Sequence, residues 1–212
     1  MTQLLDILLH LDQHLLEWIA YFGPLIYVVL FAIIFAETGL IIFPILPGDS
    51  LLFAIGALTA IDGGNHLNLT LILATLTIAA IMGDAVNYSI GKKIGPRAFE
   101  KDGRFIKKKY LDETQAFYSR WGSLTIVMAR FVPIVRTFAP FVAGVAQMEY
   151  RKFALFNILG GVLWVFSLTL AGNFFGNVPI VKNNFEIVVL GIVAVSVLPI
   201  AIQLTKRIFS KK

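Results

Sequence analysis

The stretch A-R-F-V-P-I-V-R-T-F-A-P, residues Ala129–Pro140, decides how this chain folds. It lies inside an otherwise apolar run over residues 124–146. Its two arginines, Arg130 and Arg136, would each cost about 2.5 to 3.5 kcal/mol at the centre of a membrane helix. A run that keeps both charges must therefore surround them with something other than lipid.

Two prolines, Pro133 and Pro140, lie in the same stretch. Each removes a backbone donor and interrupts a helix. Fixed charge and broken backbone are tolerated at membrane depth only where protein or a water-filled cavity surrounds them. We therefore expect a membrane protein with an anion site at this stretch.

The composition supports a membrane protein. The chain has 212 residues, of which 58% are hydrophobic and 15% are charged, with a mean hydropathy of +0.80. Soluble domains average about 45–50% apolar and about 25% charged residues. We expect a single all-α membrane domain over residues 1–212. Its net charge of +5 favours a membrane surface, and not nucleic acid, as its partner.

The side chains present exclude several classes of site. The chain has no cysteine, so neither a disulfide framework nor a thiolate metal site can form. The three histidines, His10, His14 and His66, lie outside the apolar runs. We expect no metal, no cofactor and no catalytic residue, and therefore not an enzyme. No cleavable signal peptide is evident, because Asp6 and Asp12 stand where a basic segment should be.

The first half of the chain, residues 24–91, predicts three membrane segments. Residues 24–43 suffice for a full span, residues 44–60 form a shorter re-entrant segment, and residues 69–91 form another span. The break between the first two is set by Pro44, Pro47 and Gly48. Before them, residues 1–22 predict an amphipathic helix, either at the interface or against the other segments.

The second half, residues 123–205, repeats this plan. Residues 92–122 form a basic loop in which Asp112-x-x-Gln115 resembles a capping box and predicts a short helix ending at Gly122. The arginine run, residues 123–147, is the second re-entrant segment. Spans are predicted at residues 153–176 and at about residues 186–205.

Basic residues set the predicted orientation. The loop at residues 92–120, the pair Arg151–Lys152 and the C-terminal tail carry Lys and Arg, which favour the cytoplasmic side. The polar turn at residues 61–68 has none and falls outside. Keeping the basic segments on one side of the membrane and this turn on the other requires three or four full spans and two hairpins that enter from opposite faces.

A weak internal repeat agrees with this plan. Residues Gly83–Gly95 align with Trp164–Gly176, and both end in G-x-x-x-G. The two halves would lie in opposite orientations, as in the inverted repeats of many transporters. The glycines can equally serve only for close helix contact.

Five ionisable groups lie within the apolar runs, and such groups are functional candidates by default. Two are Arg130 and Arg136, which suit a phosphate because guanidinium groups bind it bidentately and keep their charge. Six residues apart, they would point apart on a straight helix, but a break at Pro133 could bring them into one cavity. The acids are Glu37, Asp49 and Asp84.

The alternative is that each arginine only pairs with an acid, for example Arg130 with Glu37 and Arg136 with Asp49. Both interpretations hold if the acids release the arginines when protonated. Burial and a neighbouring arginine shift the pKa of a carboxyl in opposite directions, so Glu37 and Asp49 could exchange protons at working pH.

Two of the acids have a structural alternative. Asp49, with Ser50, could instead cap the helix that begins in P-G-D-S. Asp84 could hydrogen-bond Asn87 and Tyr88 and carry no proton. Ser50, Asp84 and Asn87 are therefore accessory candidates.

Three motifs together resemble one family. F-A-E-T-G-L-I-I-F-P-I-L-P-G-D-S-L-L-F-A-I-G-A-L, G-D-A-V-N-Y-S-I-G and A-R-F-V-P-I-V-R-T-F-A-P-F-V-A-G occur here in this order. They resemble the bacterial DedA family, which is related to eukaryotic proteins with the SNARE-associated Golgi or VTT domain. The resemblance covers about residues 10 to 200.

This resemblance implies an inner-membrane protein with two opposed re-entrant hairpins. It implies roles in envelope integrity, dependence on the proton motive force, and lipid transport, including return of undecaprenyl phosphate. The acids that the family requires match Glu37 and Asp49, and its arginines match Arg130 and Arg136.

We therefore expect a proton-coupled flippase for a lipid phosphate such as undecaprenyl phosphate. In this hypothesis Arg130 and Arg136 hold the phosphate, while Glu37 and Asp49 carry protons. A proton-coupled ion or small-solute antiporter is the main alternative, and a non-transporting assembly factor is another. The partners are membrane lipids and protons, and a homo-oligomer is left open.

Overall fold

The computed structural model describes residues 21–40, 48–94 and 108–179. Most of these residues are helical, and none of them forms a β-strand. Their α-helices are α1 (Leu25–Gly39), α2 (Gly48–Asp62), α3 (Leu69–Ile94), α4 (Lys108–Trp121), α5 (Thr125–Ala129), α6 (Pro133–Val145) and α7 (Tyr150–Gly176).

Helices α3 and α7 are long and apolar enough to cross a membrane, with 26 and 27 residues. At 1.5 Å per residue each is about 40 Å long, whereas about 20 residues suffice to span the hydrocarbon core. They confirm the helices predicted at residues 69–91 and 153–176, each extended by three residues. With the apolar composition, they support the predicted all-α membrane protein in the part of the chain that the structure describes.

Helix α1 is shorter than predicted. The expected span over residues 24–43 ends at Gly39 and has 15 residues. A Cβ at Gly39 would lie 3.2 Å from the Cα of Gly83, so α1 ends where its backbone approaches α3. Glycine also has a low helix propensity.

Helix α2 begins at Gly48, the last residue of the predicted break, and has 15 residues. It is about 22 Å long, too short for an ordinary span. This agrees with a short helix in the predicted re-entrant segment at residues 44–60. Pro44 and Pro47 themselves lie outside the described residues.

Several predicted features fall outside the described residues. They are the amphipathic helix at 1–22 apart from its last two residues, residues 95–107 of the basic loop, the last span at about 186–205, and the tail. They stay predictions.

The predicted start of α4 is wrong. The helix begins at Lys108, so Asp112 and Gln115 lie inside it and form no capping box. Lysine is a good helix former, and Tyr110 and Leu111 already belong to the apolar pattern before Asp112. The predicted end is correct, since Gly122 follows α4 with φ +54°, a conformation that glycine adopts readily.

The arginine run is divided into two short helices. Helix α5 ends at Ala129, and α6 begins with Pro133 at its first position. Between them Val132 is extended, with φ −119° and ψ 107°, as the residue before a proline prefers. The break predicted at Pro133 therefore lies just before it and separates Arg130, in the turn after α5, from Arg136 on α6.

The predicted break at Pro140 is wrong, because Pro140 lies inside α6. A proline there frees carbonyl groups one turn earlier. The Asn87 amide donates to the carbonyl of Thr137 over 2.9 Å, so a neighbouring helix satisfies one carbonyl of that turn. Such compensation is how membrane helices tolerate proline.

The described residues form two compact units. The first unit contains residues 21–26, 48–73 and 166–179, and the second contains residues 27–40, 74–94 and 108–165.

In the first unit, α2 approaches the C-terminal part of α7 through two glycines. A Cβ at Gly56 would overlap the carbonyl oxygen of Thr169, and a Cβ at Gly172 would overlap that of Phe53. The backbones therefore touch at these points, which only glycine permits.

In the second unit, α6 approaches the C-terminal part of α3 in the same way. A Cβ at Gly144 would overlap the carbonyl oxygen of Tyr88, and a Cβ at Gly91 would overlap that of Phe141. Gly144 lies three residues after Phe141, and Gly91 lies three residues after Tyr88. The two glycines of the first unit have the same spacing from the carbonyls of Phe53 and Thr169. Gly91 and Gly172 also match in the predicted alignment of the two halves.

A carboxylate closes the turn after α2. Asp62 accepts the backbone N–H groups of His66 and Leu67 over 2.7 and 2.9 Å, and the His66 ring lies 2.8 Å away. Burial alone raises the pKa of the Asp62 carboxyl, but these hydrogen bonds outweigh it and hold the pKa below its ordinary value.

We predict that Asp62→Ala destabilises the protein by about 2 kcal/mol, because two backbone donors lose their acceptor. A carboxyl with a lowered folded pKa stabilises fully above its ordinary pKa of 3.8. That contribution disappears as the pH falls through the folded value. Unfolding measured at pH 7 and at decreasing pH should show a shrinking difference from wild type, while His66→Ala should cost less. Equal stability of Asp62→Ala and wild type at pH 7 would refute this role.

Candidate functional site

A small cavity in the second unit brings four of the charged candidates together. Its free space admits about one water molecule. The residues that line it come from α1, α3, α6, α7 and the turn after α5, and they are Glu37, Thr38, Asp84, Arg130, Arg136, Thr137 and Trp164.

Arg130 is held by two partners on different helices. One terminal nitrogen, Nη2, donates to Asp84 Oδ2 on α3 and to Asn157 Oδ1 on α7, over 2.6 Å in each case. The side chains of Arg130 and Asp84 are only 5% and 6% exposed. A buried pair of this kind is sensitive to loss of either member.

Arg136 pairs with the acid of α1. Its Nη2 donates to Glu37 Oε1 over 2.5 Å. The Glu37 side chain is 4% exposed and that of Arg136 is 16% exposed. The second arginine is therefore the more accessible of the two.

One indole contacts both guanidinium groups. The ring centre of Trp164 lies 5.7 Å from the guanidinium carbon of Arg130 and 5.7 Å from that of Arg136. These are cation–π distances. The buried Trp164 therefore helps to hold two like charges in one cavity.

Close helix contacts position the acids. The approach of Gly39 to Gly83 places α1 beside α3, so that Glu37 and Asp84 line the same cavity. The Asn87 amide joins three helices, since it donates to the carbonyl of Thr38 over 3.2 Å and to that of Thr137 over 2.9 Å.

The predicted pairing of Arg130 with Glu37 is wrong, because Arg130 pairs with Asp84 and Glu37 pairs with Arg136. The sequence could not reveal this, since the break before Pro133 sets the direction of each arginine independently.

The structural alternative for Asp84 is also corrected. Asp84 pairs with Arg130, whereas Asn87 binds backbone carbonyls and the Tyr88 hydroxyl donates to the carbonyl of Met148. Asp84 therefore belongs to the charged site itself.

Asp49 and Ser50 lie in the first turn of α2, in the first unit. Ser50 is buried and Asp49 is half-buried. Their proton-coupling and accessory roles, and the pairing of Asp49 with Arg136, stay predictions.

Sequence reasoning missed Asn157 and Trp164 on α7. With Gly160 and Gly161 they follow the spacing i, i+3, i+4, i+7, which marks one face of a helix. An amide, two glycines and an indole on one stripe of an apolar span were the available signal. Nowhere in the described ranges do His, Asp and Glu side chains form a group suited to a metal ion.

Comparison with known proteins agrees with the membrane fold. The VTT domain model matches residues 46–174. Protein DedA of Escherichia coli (strain K12) is 48% identical over 205 residues, covering 96% of this chain and 93% of the relative. An uncharacterized membrane protein of Mycobacterium tuberculosis (strain H37Rv) is 46% identical, covering 84% and 78%.

A more distant relative is the inner membrane protein YghB of Escherichia coli (strain K12), 34% identical over 207 residues, covering 95% of this chain and 91% of the relative. No solved structure matches the chain. The matched domain contains the arginine run and its partners on α3 and α7, and the chain therefore belongs to the DedA family of VTT-domain membrane proteins.

Proposed function

We propose that this protein is a proton-coupled transporter that moves a phosphate-headed lipid, such as undecaprenyl phosphate, across the bacterial inner membrane and so supports envelope integrity. The observation that carries this proposal is that a buried arginine, Arg130, and a half-buried one, Arg136, line one cavity, and each is paired there with a carboxylate. Two guanidinium groups suit a phosphate because each offers a planar pair of donors.

The tight cavity supports an exchange mechanism. It admits about one water molecule, so a phosphate head must displace the acid that occupies its position. Protonation of Glu37 removes the negative charge that holds Arg136 and makes that guanidinium available. The proton and the lipid phosphate then compete for the same pair, and this competition couples their movements.

The N-terminus of α6 adds positive potential at this place. Arg136 and Thr137 lie near the start of α6 and line the cavity. A helix N-terminus carries about half a positive charge and favours anions. Broken helices of transporters present their N-termini to anionic substrates in this way.

We also propose that α2 and α6 belong to two re-entrant hairpins related as an inverted repeat. The support is the repeated glycine contact, which joins α2 to α7 in the first unit and α6 to α3 in the second. The basic residues at 92–120 and in the C-terminal tail are then cytoplasmic. We propose no catalytic residue and no enzymatic activity.

We predict that Arg136→Gln lowers lipid phosphate transport by about a hundredfold, because a half-buried charged partner of the head group is lost. The protein would be reconstituted into vesicles containing undecaprenyl phosphate. The fraction of lipid accessible to a membrane-impermeant phosphate-binding reagent would be followed with time.

Arg120→Gln is the matched control, since Arg120 is exposed and stacks over Trp121 on α4, away from the cavity lining. It should transport at the wild-type rate. Transport by Arg136→Gln at the wild-type rate would end this proposal.

The small cavity also favours a second candidate, a proton-coupled antiporter for an ion or small solute. It predicts solute-dependent proton flux in vesicles without any prenyl phosphate. Proton flux that requires undecaprenyl phosphate would exclude this candidate.

A further inference from the structure

The two arginines of the cavity are held differently. Arg130 has an acidic partner, Asp84, and a neutral one, Asn157. An amide oxygen accepts a hydrogen bond at any pH. Arg130 therefore keeps one partner even when Asp84 is protonated.

The direction of the Asn157 amide is fixed by a further contact. Its Nδ2 donates to the carbonyl of Ile81 on α3 over 3.0 Å. Because the nitrogen is engaged there, the oxygen must face Arg130. Asn157 thus acts as a rigid acceptor between α3 and α7.

Two glycines make room for this arrangement. A Cβ at Gly160 would lie 3.2 Å from both Cδ and Nε of Arg130, and a Cβ at Gly161 would lie 3.6 Å from its Nη2. The Arg130 side chain therefore lies directly against the backbone of α7, with little freedom to turn.

Arg136 differs in exposure and in the kind of partner. Its side chain is 16% exposed, against 5% for Arg130, and Glu37, its partner across the cavity, is a group that can titrate. The charged groups facing Glu37 and Asp84 in this cavity are Arg130 and Arg136.

We propose that Asn157 is a positioning residue that fixes Arg130 in one orientation, so that Arg136 is the guanidinium that exchanges Glu37 for an anion. The identity of the anion rests on the proposed function, whereas the fixed orientation of Arg130 does not. This assignment makes Glu37 the acid whose protonation opens the site and Arg130 a permanent charge of the site.

The fluorescence of Trp164 tests this division, because its ring contacts both arginines. Trp18→Phe and Trp121→Phe leave Trp164 as the sole tryptophan. In this background, a pH titration without lipid phosphate should show one transition, which Glu37→Gln removes.

Asn157→Leu should add a second transition, because Arg130 then depends on Asp84 alone and is released when Asp84 is protonated. Asn157→Ala, which creates no crowding, should do the same. Asn157→Gln keeps a neutral acceptor and should show one transition. Asn173→Leu is the matched control on the same helix, since Asn173 donates to Thr59 in the first unit.

The transport assay supplies the second measurement. Asn157→Leu should raise the half-saturating concentration of undecaprenyl phosphate about tenfold, because one hydrogen bond to a charged group is lost. It should also make the pH profile of the transport rate steeper. A residue with only a structural role would lower the rate at every pH and leave the shape of the profile unchanged.

The outcomes separate this inference from the proposed function. One transition in Asn157→Leu and in Asn157→Ala, as in wild type, overturns the positioning role whatever the substrate is. Two transitions together with wild-type transport by Arg136→Gln would support the fixed Arg130 and overturn the lipid phosphate.

Discussion

Arg130→Leu is expected to destabilise the protein by about 3–5 kcal/mol, because it leaves the Asp84 carboxylate buried without its guanidinium. The pair lies almost fully inside the protein, 2.6 Å apart, and Asn157 loses a donor at the same time. The free energy of unfolding would be measured by steric trapping in bicelles, which gives equilibrium values for a membrane protein.

The double variant Arg130→Leu/Asp84→Leu should recover most of this loss. Replacing both members of a buried pair by apolar groups is often neutral, whereas removing one is costly. The difference between the sum of the single changes and the double change then measures the coupling. Arg120→Leu, at an exposed position, should change stability by less than about 0.5 kcal/mol. A loss below about 1 kcal/mol in Arg130→Leu would contradict the buried pair.

The same double variant separates folding from function. If Arg130 only stabilises the protein, a stable double variant should still transport lipid phosphate. If Arg130 is a permanent charge of the anion site, the double variant should fold and fail to transport. The sequence alone could not make this distinction, because it left open whether each arginine holds a phosphate or only pairs with an acid.

Apolar length and special backbone residues made much of the fold predictable. The uninterrupted runs predicted α3 and α7, Gly48 marked the start of α2, and Pro133 marked the start of α6. These signals are local, since length and backbone conformation depend on residues close in the chain.

Two of the errors came from contacts between distant residues. Pro140 remains inside α6, where Asn87 donates to a carbonyl of the preceding turn. Asp84 faces Arg130 because α5 ends at Ala129 and turns before Pro133. Neither the contact of Asn87 with α6 nor the pairing of Asp84 with Arg130 follows from spacing along the chain. Hydrophobic pattern predicts which residues enter the membrane, and tertiary contacts decide which of them meet.

The same contrast between local sequence signals and tertiary contacts applies to the residues of the candidate site. Glu37, Arg130 and Arg136 were predictable as charges in apolar runs, since such charges need a functional reason. Asn157 and Trp164 carry no charge, so the free-energy cost of a charge in an apolar run did not identify them. Their positions on α7 gain meaning only from the guanidinium groups that they contact.

The glycines of the repeated helix contact give the last large prediction. In Gly144→Ala the new methyl group would overlap the carbonyl oxygen of Tyr88, a backbone atom that cannot move without displacing α3. Alanine favours a helix over glycine by up to about 1 kcal/mol. Overpacking costs about 1–3 kcal/mol or more. The steric cost should therefore exceed the gain in helix propensity and lower the free energy of unfolding by about 2 kcal/mol.

Gly56→Ala places its methyl group against the carbonyl oxygen of Thr169 in the first unit. If the two contacts are equivalent halves of one repeat, it should lose about as much stability as Gly144→Ala. Gly64→Ala is the control, since a Cβ at Gly64 meets no atom within 4 Å and only its φ of +84° is unfavourable, which costs about 1 kcal/mol. A Gly56→Ala variant as stable as wild type would limit the close contact to α6 and α3. The inverted repeat would then lose its structural support, because overlap at a backbone carbonyl is the feature that the two units share.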